Sequence, residues 1–568
     1  MPKEDRIIPA PTLKKYFLPS FLLAVSLVAL DRTVVATALP DIASTFGSTT
    51  KYSWVATAYL LTSAMIMPVA GRWTDLAGAK KPLLTAFGVF TLGSLLCGLA
   101  PSMDMLILAR AFQGVGGGAM LAVGTAAIGL MFEGPKRTKM FALLAAFSGI
   151  AAALGPLIGG LLTEYVSWRW IFFINFPLGI GAFIGLSRNL QEEVVPKDER
   201  MDWGGAILCA CWTVPLFFAF SLGGSELSWR SYTILGLLAT ALVSLVLFFW
   251  REKTHKDPLF QLTLFLNKCF RQGSLAYFFI GGATTTTVLF LPLYLIQVRG
   301  LSAPLAGLAL TAEVAGLMVG NILTSRITAR RGRYYGVLVV GNLLALAGLW
   351  GLRASLSAEG DVWLTVIALV VVGVGFGLSM PVYPSAVQNS VSKERMGTAS
   401  SALQFFRILG AALGTALMGA VMVGTLHFKF PERLQHHLGA LGVECSVTDF
   451  EEPSKLKKVF IKPFHDAEKK IDQAFAGDKD ALKWVIDLLQ LNSQEVEYLK
   501  NESPLAREAL KARVHKAIEN LETSVETAGR QALLEAVRNV YLGALMFMAL
   551  TFLCTLFLPN LPLQKKES

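Results

Sequence analysis

Long apolar stretches, separated by short polar ones, recur from Phe17 almost to the C-terminus. Each runs near twenty residues, the length a helix needs to cross a hydrocarbon core of about 30 Å. About fourteen meet that criterion, at roughly 17–39, 53–71, 82–100, 104–131, 139–163, 170–187, 203–223, 232–250, 274–297, 303–325, 335–353, 362–384, 399–425 and 537–558. This pattern predicts an all-α polytopic membrane protein. The fifth stretch is punctuated, since residues 149–160 read Gly-Ile-Ala-Ala-Ala-Leu-Gly-Pro-Leu-Ile-Gly-Gly. In a soluble helix an interior glycine costs about 1 kcal/mol and an interior proline about 3. In a bilayer neighbouring helices re-satisfy the backbone, and glycine lets helices approach closely. Gly149, Gly155, Pro156, Gly159 and Gly160 therefore predict a packed hinge.

One long polar segment, 426–536, separates the last two spans. Ser503-Pro504 is an N-cap and first-turn pair, and Val514, Ile518, Leu521, Val525, Ala528 and Ala532 follow as a heptad stripe. A helical hairpin packing on itself or on the mouth of the protein is expected, the alternative being a docking surface or lid. His436-His437 reads as solvated, and no metal site is expected.

Charge fixes the expected orientation. Basic clusters (Arg72/Lys80/Lys81, Lys136/Arg137/Lys139, Arg251/Lys253/Lys256 and Arg326/Arg330/Arg331/Arg333) fall on alternate loops, and the intervening loops carry few. By the positive-inside rule both termini are cytoplasmic and 426–536 lies outside a plasma (inner) membrane. The net charge of +11 then records topology and contact with anionic lipid, and gives no reason to invoke nucleic acid. Lys3, Arg6, Lys14 and Lys15 before the first span resemble a signal peptide, but that span is long and contains Asp31, so it reads as a retained helix. The scattered cysteines make no disulfide framework.

Two halves emerge from the turns. Gly71-Arg-Trp-Thr-Asp75-Leu-Ala-Gly78-Ala-Lys80-Lys81 follows the second span, and Ser325-Arg-Ile-Thr-Ala329-Arg-Arg-Gly332-Arg333 follows the tenth. A six-helix repeat would place the second turn after the eighth span, so two extra helices, the seventh and eighth, sit between the halves. The expected organisation is a six-helix bundle over 1–187, two inserted helices with linkers over 188–273, five helices over 274–425, the helical loop 426–536, and a last helix with its tail over 537–568.

Ionisable groups inside spans cost about 2.5–3.5 kcal/mol at mid-helix on insertion scales, which makes each a functional candidate. Asp31, in the first span, reads either as a carboxylate satisfied by water or Arg32, or as a protonatable group facing a central cavity. Glu313, mid-way along the tenth, has no basic neighbour in sequence and suits reversible protonation or capture of a cation. Arg110 and Arg407 either bond backbone carbonyls or, for Arg110, tune a nearby carboxylate. Asp75, at a basic turn, reads as a surface ion pair or as a bridge closing the inner face. Tyr59, Tyr294, Tyr383, Gln297, Gln388, Asn389 and Gln404 either line a cavity or bond helices together. No histidine lies in a span, Gly114-Val-Gly116-Gly-Gly118 lacks the strand and Lys-Ser/Thr of a P-loop, and no nucleophile–base or metal constellation appears. An enzyme is not expected, and no cofactor is.

Several of these motifs resemble the major facilitator superfamily, and within it the fourteen-helix drug:proton antiporter family. Gly71 to Lys81 resembles the signature loop after the second helix. Leu30-Asp31-Arg32-Thr33-Val34-Val35 with Ala38-Leu39-Pro40 resembles the first-helix motif of the fourteen-helix branch. Arg110, Gln113 and Gly114 match the fourth-helix motif, and 149–160 the antiporter motif of the fifth. Met201-Asp202-Trp203-Gly204 and Gly397-Thr-Ala-Ser400 are weaker matches. The resemblance implies a major facilitator fold of two six-helix bundles plus two inserted helices, rocking about a central cavity and exchanging hydrophobic or cationic small molecules for protons. It makes Asp31 and Arg110 the proton-coupling pair, and Gln113 is counted among the residues expected to line the cavity. Gly71, Asp75, Gly78, Lys80 and Lys81 become an inner latch, Gly155-Pro156 the hinge and Glu313 the cavity carboxylate. Ala329 departs from the acidic pattern, so any latch is one-sided. Membrane lipids are the expected surroundings and a monomer the expected state. Export of a specific endogenous lipid, peptide or metabolite is the alternative within transport. Recruitment of an adaptor through 426–536 is the alternative from another class.

Overall fold

The structure is a computed structural model that describes residues 17–46, 52–189, 199–223, 227–301, 303–439 and 504–560, with isolated positions between 473 and 483. Residues 1–16, Cys445 and most of the polar loop lie outside the described residues, as do the side chains of Pro156, His436, His437, Val514, Ile518 and Leu521.

The N-terminal half comprises α1 (Phe17–Phe46), α2 (Tyr52–Ala77), α3 (Lys80–Leu99), α4 (Met103–Met131), α5 (Gly134–Tyr165), α6 (Trp170–Phe173) and α7 (Asn175–Asn189). The inserted pair is α8 (Trp203–Leu222) and α9 (Tyr232–Thr254). The C-terminal half comprises α10 (Lys268–Gln297), α11 (Ala303–Arg331), α12 (Tyr335–Ser355), α13 (Val362–Ser379), α14 (Val382–Asn389), α15 (Met396–Gly439) and α16 (Pro504–Leu556). Among the described residues 12 helices are long and apolar enough to cross a membrane. The two remaining stretches expected from the sequence are occupied by α1 and α5, of 30 and 32 residues.

Two spans differ from the continuous helices expected. The sixth breaks at Ile174 into α6 and α7, and the twelfth breaks after Ser379 at Met380-Pro381 before continuing as α14. Proline lacks the N–H that would prolong the ladder, which accounts for the second break. Gly155-Pro156, by contrast, lies within an unbroken α5. A proline in a membrane helix can be carried without a break.

Within each half the helices pack pairwise: α2 on α4, α3 on α4 and α1 on α5 in the first; α10 on α15, α11 on α13 and α12 on α13 in the second. Across the halves α2 meets α15 and α5 meets α11. The α4 glycine run is a packing surface: a Cβ at Gly114 would lie 2.5 Å from the Tyr59 carbonyl oxygen of α2, and one at Gly118 would lie 2.2 Å from that of Ser63.

The inserted pair is tied at one end by Asp202. This carboxylate caps α8 by accepting from the Gly205 N–H at 2.9 Å, and it accepts from Arg251 Nε at 3.0 Å and Nη2 at 2.7 Å. Burial works to raise its pKa, but the Arg251 and Gly205 hydrogen bonds hold the carboxyl below its ordinary value. Helix α8 touches both halves through Trp54–Phe218 (5.1 Å between ring centroids) and Trp212–Phe405 (5.6 Å). On α9 Leu242, Val246 and Trp250 are exposed, the outward apolar surface that lipid covers.

Helices α15 and α16, of 44 and 53 residues, run about 66 Å and about 80 Å at 1.5 Å per residue, far beyond a hydrocarbon core. The end of α15 lies beside the middle of α16, on the face opposite the Gly78 and Gly332 turns. There Arg433 pairs with Glu535, and Asn539 Nδ2 donates to Thr425 Oγ1 at 3.3 Å. The polar segment thus begins and ends as continuations of the two last spans.

Candidate functional site

Asp31 sits in α1 at 1% exposure, and three side chains from two other helices bond its carboxylate. Its Oδ2 accepts from Arg110 Nη1 of α4 at 2.6 Å. Its Oδ1 accepts from Gln113 Nε2 at 2.9 Å and from Asn175 Nδ2 of α7 at 3.0 Å. Arg110 Nη1 also donates to Gln113 Oε1 at 2.7 Å, and Arg110 Nε donates to the Val55 carbonyl oxygen at 3.3 Å. Asn175 reaches on to Ser94 Oγ of α3 at 3.0 Å. The Arg110 guanidinium lies 4.4 Å from the centre of the Tyr59 ring, so a buried cation meets a carboxylate on one side and a π-face on the other.

The partner of Asp31 is therefore Arg110 rather than the adjacent Arg32. Successive residues on a helix point in different directions, so sequence adjacency gives no pairing. Asn175 is the member that sequence reasoning missed. Its signal was an amide in an apolar stretch, Ile174-Asn175-Phe176-Pro177, and the break at Ile174 places it at the start of α7 against α1 and α3.

Gly155 packs at the same level. A Cβ there would fall 1.9 Å from Thr33 Oγ1 and 3.1 Å from the Val34 nitrogen, so the glycine is what lets α5 lie against α1 beside Asp31. Gly149 faces the other half, where an added Cβ would stand 3.4 Å from Val314 and 3.7 Å from Leu317 of α11. Gly160 has open space around it, and Gly159 is buried.

Glu313 lies on α11 at 7% exposure, with Oε2 lacking a hydrogen-bond partner. Tyr541 of α16 lies within its electrostatic range and also has an unpartnered hydroxyl. Eight residues along the same helix, buried Asn321 has neither amide atom partnered. Glu313 was read in the sequence, but Asn321 was not, because a single amide in an apolar run carries little cost of its own.

The remaining candidates divide. Gln404 Oε1 accepts from Arg407 Nε at 3.0 Å, and that guanidinium lies 5.9 Å from the Tyr277 ring centre. Gln388 joins the halves by donating to the Thr125 carbonyl oxygen at 2.9 Å and to Ser400 Oγ at 2.7 Å. Asn389 follows it at the end of α14, half-buried. Tyr294 is bound away from these groups, donating from its hydroxyl to the Ser357 carbonyl oxygen at 2.8 Å in the α12–α13 turn. Tyr383 shares a buried network with Asn342 (2.9 Å) and Thr555 (2.7 Å).

At the basic face, Asp75 spans the two halves. It accepts from the Thr398 N–H at 2.8 Å, from the Gly397 N–H and from the Thr398 hydroxyl, all at the start of α15. A carboxylate there meets backbone donors that lack intrahelical partners and the positive end of the helix dipole. Gly71 and Gly397 allow the approach, since a Cβ on Gly397 would lie 2.3 Å from the Gly71 carbonyl oxygen. The turn itself needs Gly78, whose φ of 75° favours glycine, as does Gly332 with 62°. Lys80 is half-buried and Lys81 exposed at the start of α3. Nearby, Thr138 Oγ1 and Ser385 Oγ stand 2.7 Å apart, and Lys393 pairs with Glu133 at 3.0 Å, so several contacts between the halves gather at this face.

A comparison of the chain with known families matches the Major Facilitator Superfamily over residues 21–415. The chain is 32% identical to the multidrug transporter protein MdtP of Bacillus subtilis over 463 residues, covering 80% of this chain and 85% of that one. It is 32% identical to multidrug resistance protein 3 of the same organism over 428 residues, covering 75% and 83%. Among solved structures, the human organic anion transporter MFSD10 (TETRAN) shares the fold with a TM-score of 0.55 at 14% identity, over 72% of this chain and 94% of that one. The chain belongs to the major facilitator superfamily and is a multi-pass membrane transporter, not an enzyme.

Proposed function

We propose that this transporter expels hydrophobic compounds, cations among them, in exchange for protons. The observation that carries the reading is the buried Asp31 carboxylate held by Arg110, Gln113 and Asn175. A carboxylate so placed changes its hydrogen bonding when protonated, since it loses acceptor capacity and its attraction to Arg110. Its helix lies against Gly155 of α5, and α5 touches α11 of the other half, so a change at Asp31 has a packed route to the interface between the halves. The multidrug transporters to which the chain is similar support efflux of drug-like molecules.

In this reading the basic face is cytoplasmic and the long α15–α16 extension stands outside. Asp75 holds the inner face shut by capping α15, and its release opens that face. Gly155-Pro156 lets α5 move without breaking. Glu313, with one oxygen unpartnered, receives a proton or the cationic group of a substrate. Protonation from outside releases substrate, and deprotonation inside restores binding.

The test is reconstitution into vesicles with an imposed pH gradient, following uptake of a lipophilic cationic dye. Wild type accumulates dye in the direction opposite to the proton flux, and Asp31→Asn loses the response to the gradient while still binding dye. Glu313→Gln weakens uptake of the cation more than that of a neutral dye. Gradient-driven uptake equal in all three proteins would overturn the assignment of these carboxyls.

A further inference from the structure

Two guanidinium groups, one on each half, have no carboxylate partner among the described residues. Arg32 follows Asp31 on α1, lies 5.6 Å from the Tyr59 ring centre, and has its buried Nε and Nη2 without hydrogen-bond partners. Arg407, on α15 of the other half, gives one N–H to Gln404 and lies 5.9 Å from the Tyr277 ring centre. The two stand within electrostatic range of each other. Among the described residues neither forms an ion pair. Asp31 is taken by Arg110, and the electrostatic neighbour of Glu313 is Tyr541.

Like charges in a poorly solvated region repel, and unpaired N–H donors there go unsatisfied. Both costs fall when an anion sits between the two groups. A guanidinium offers paired donors that match a carboxylate or sulfonate.

We propose that Arg32 and Arg407 form a two-armed subsite for the anionic group of an amphiphilic substrate, one arm from each half. The substrate class proposed above then extends to acidic aromatic compounds, and to amphoteric ones that also present a cation to Glu313. This extension rests on the transport reading, and it gives the substrate a part in holding the halves together, since parting them separates the arms.

The probe pair is 8-anilinonaphthalene-1-sulfonate and N-phenyl-1-naphthylamine, the same aromatic skeleton with and without a sulfonate. Binding is titrated by fluorescence with the purified full-length protein in neutral-detergent micelles. Arg32→Gln and Arg407→Gln each weaken the sulfonate about tenfold, the loss expected for one charge-assisted contact, and leave the neutral probe within about twofold. Arg407→Lys, which keeps the charge, retains most of the sulfonate affinity and guards against misfolding of the Gln variants. Equal weakening of both probes, or no weakening of either, would overturn the subsite. A lipid headgroup offers the same anionic chemistry, so phosphatidylglycerol is added in a parallel arm. Competition in wild type that vanishes in Arg407→Gln would overturn a transported molecule as the occupant, and absence of competition supports it. The titration needs no gradient: failure of proton coupling leaves it unchanged, and failure of the subsite leaves coupled uptake of neutral dyes unchanged.

Discussion

At the scale of single residues, the Asp31–Arg110 pair is the strongest commitment in the molecule. Removing one member of a buried ion pair strands the other charge, at a cost of about 3–5 kcal/mol. Arg110→Gln should therefore lower thermal stability in detergent sharply, and Asp31→Asn should do so as well. The double variant Asp31→Asn/Arg110→Gln should cost less than the sum of the two, a coupling that a double-mutant cycle measures. Strictly additive losses would show that the pair is not energetically linked. Asp31 and Arg110 were legible in the sequence because ionisable groups are scarce in spans and expensive there. Asn175 was not, because an amide is cheap and its meaning depends on a helix break. Arg32 was read only as a neighbour for Asp31, whereas the fold turns it toward Tyr59.

At the scale of helices, the glycines of α5 differ in what surrounds them. Gly155→Ala should push α5 off α1 and cost about 1–3 kcal/mol by overpacking, because its methyl would meet Thr33 Oγ1 at 1.9 Å. Thr33→Gly in the same chain should restore part of that loss. Gly160→Ala meets nothing within 4 Å and should be neutral, or stabilising by up to about 1 kcal/mol through helix propensity. Thermal stability of the three variants measures the contrast, and equal effects at 155 and 160 would argue against close α1–α5 packing as the role of Gly155. The positions and lengths of most spans could be read from hydropathy alone. The interruption at Ile174 could not, because α6 and α7 together remain one continuous apolar stretch. The length of α15 was also hidden, since the polar residues that continue it give no hydropathy signal; the start of α16 at Pro504 was read, but not its continuity with the last span.

At the scale of the whole molecule, the two-half organisation was visible in the paired turns at Gly78 and Gly332, but the manner in which the halves meet was not. Asp75 read as a surface ion pair or as a bridge closing the inner face, but the sequence did not say what it bonds: its described partners include the backbone of α15, a residue separation that no local pattern reveals. If that contact holds the basic face shut, Asp75→Asn should shift the equilibrium between closed and open states. Cysteines at Thr138 and Ser385, whose hydroxyl oxygens stand 2.7 Å apart, report it in a cysteine-free background. Their crosslinking should slow several-fold in the Asp75→Asn chain, and an unchanged rate would leave the carboxylate without a latching role. Proton-coupled export remains the central claim, and proton release on substrate binding tests it most directly. Purified protein in weakly buffered detergent is mixed with a saturating hydrophobic cation while the pH of the solution is followed. Antiport predicts that wild type releases protons in proportion to bound substrate and that Asp31→Asn releases fewer. Saturable binding to wild type with no proton release would contradict it.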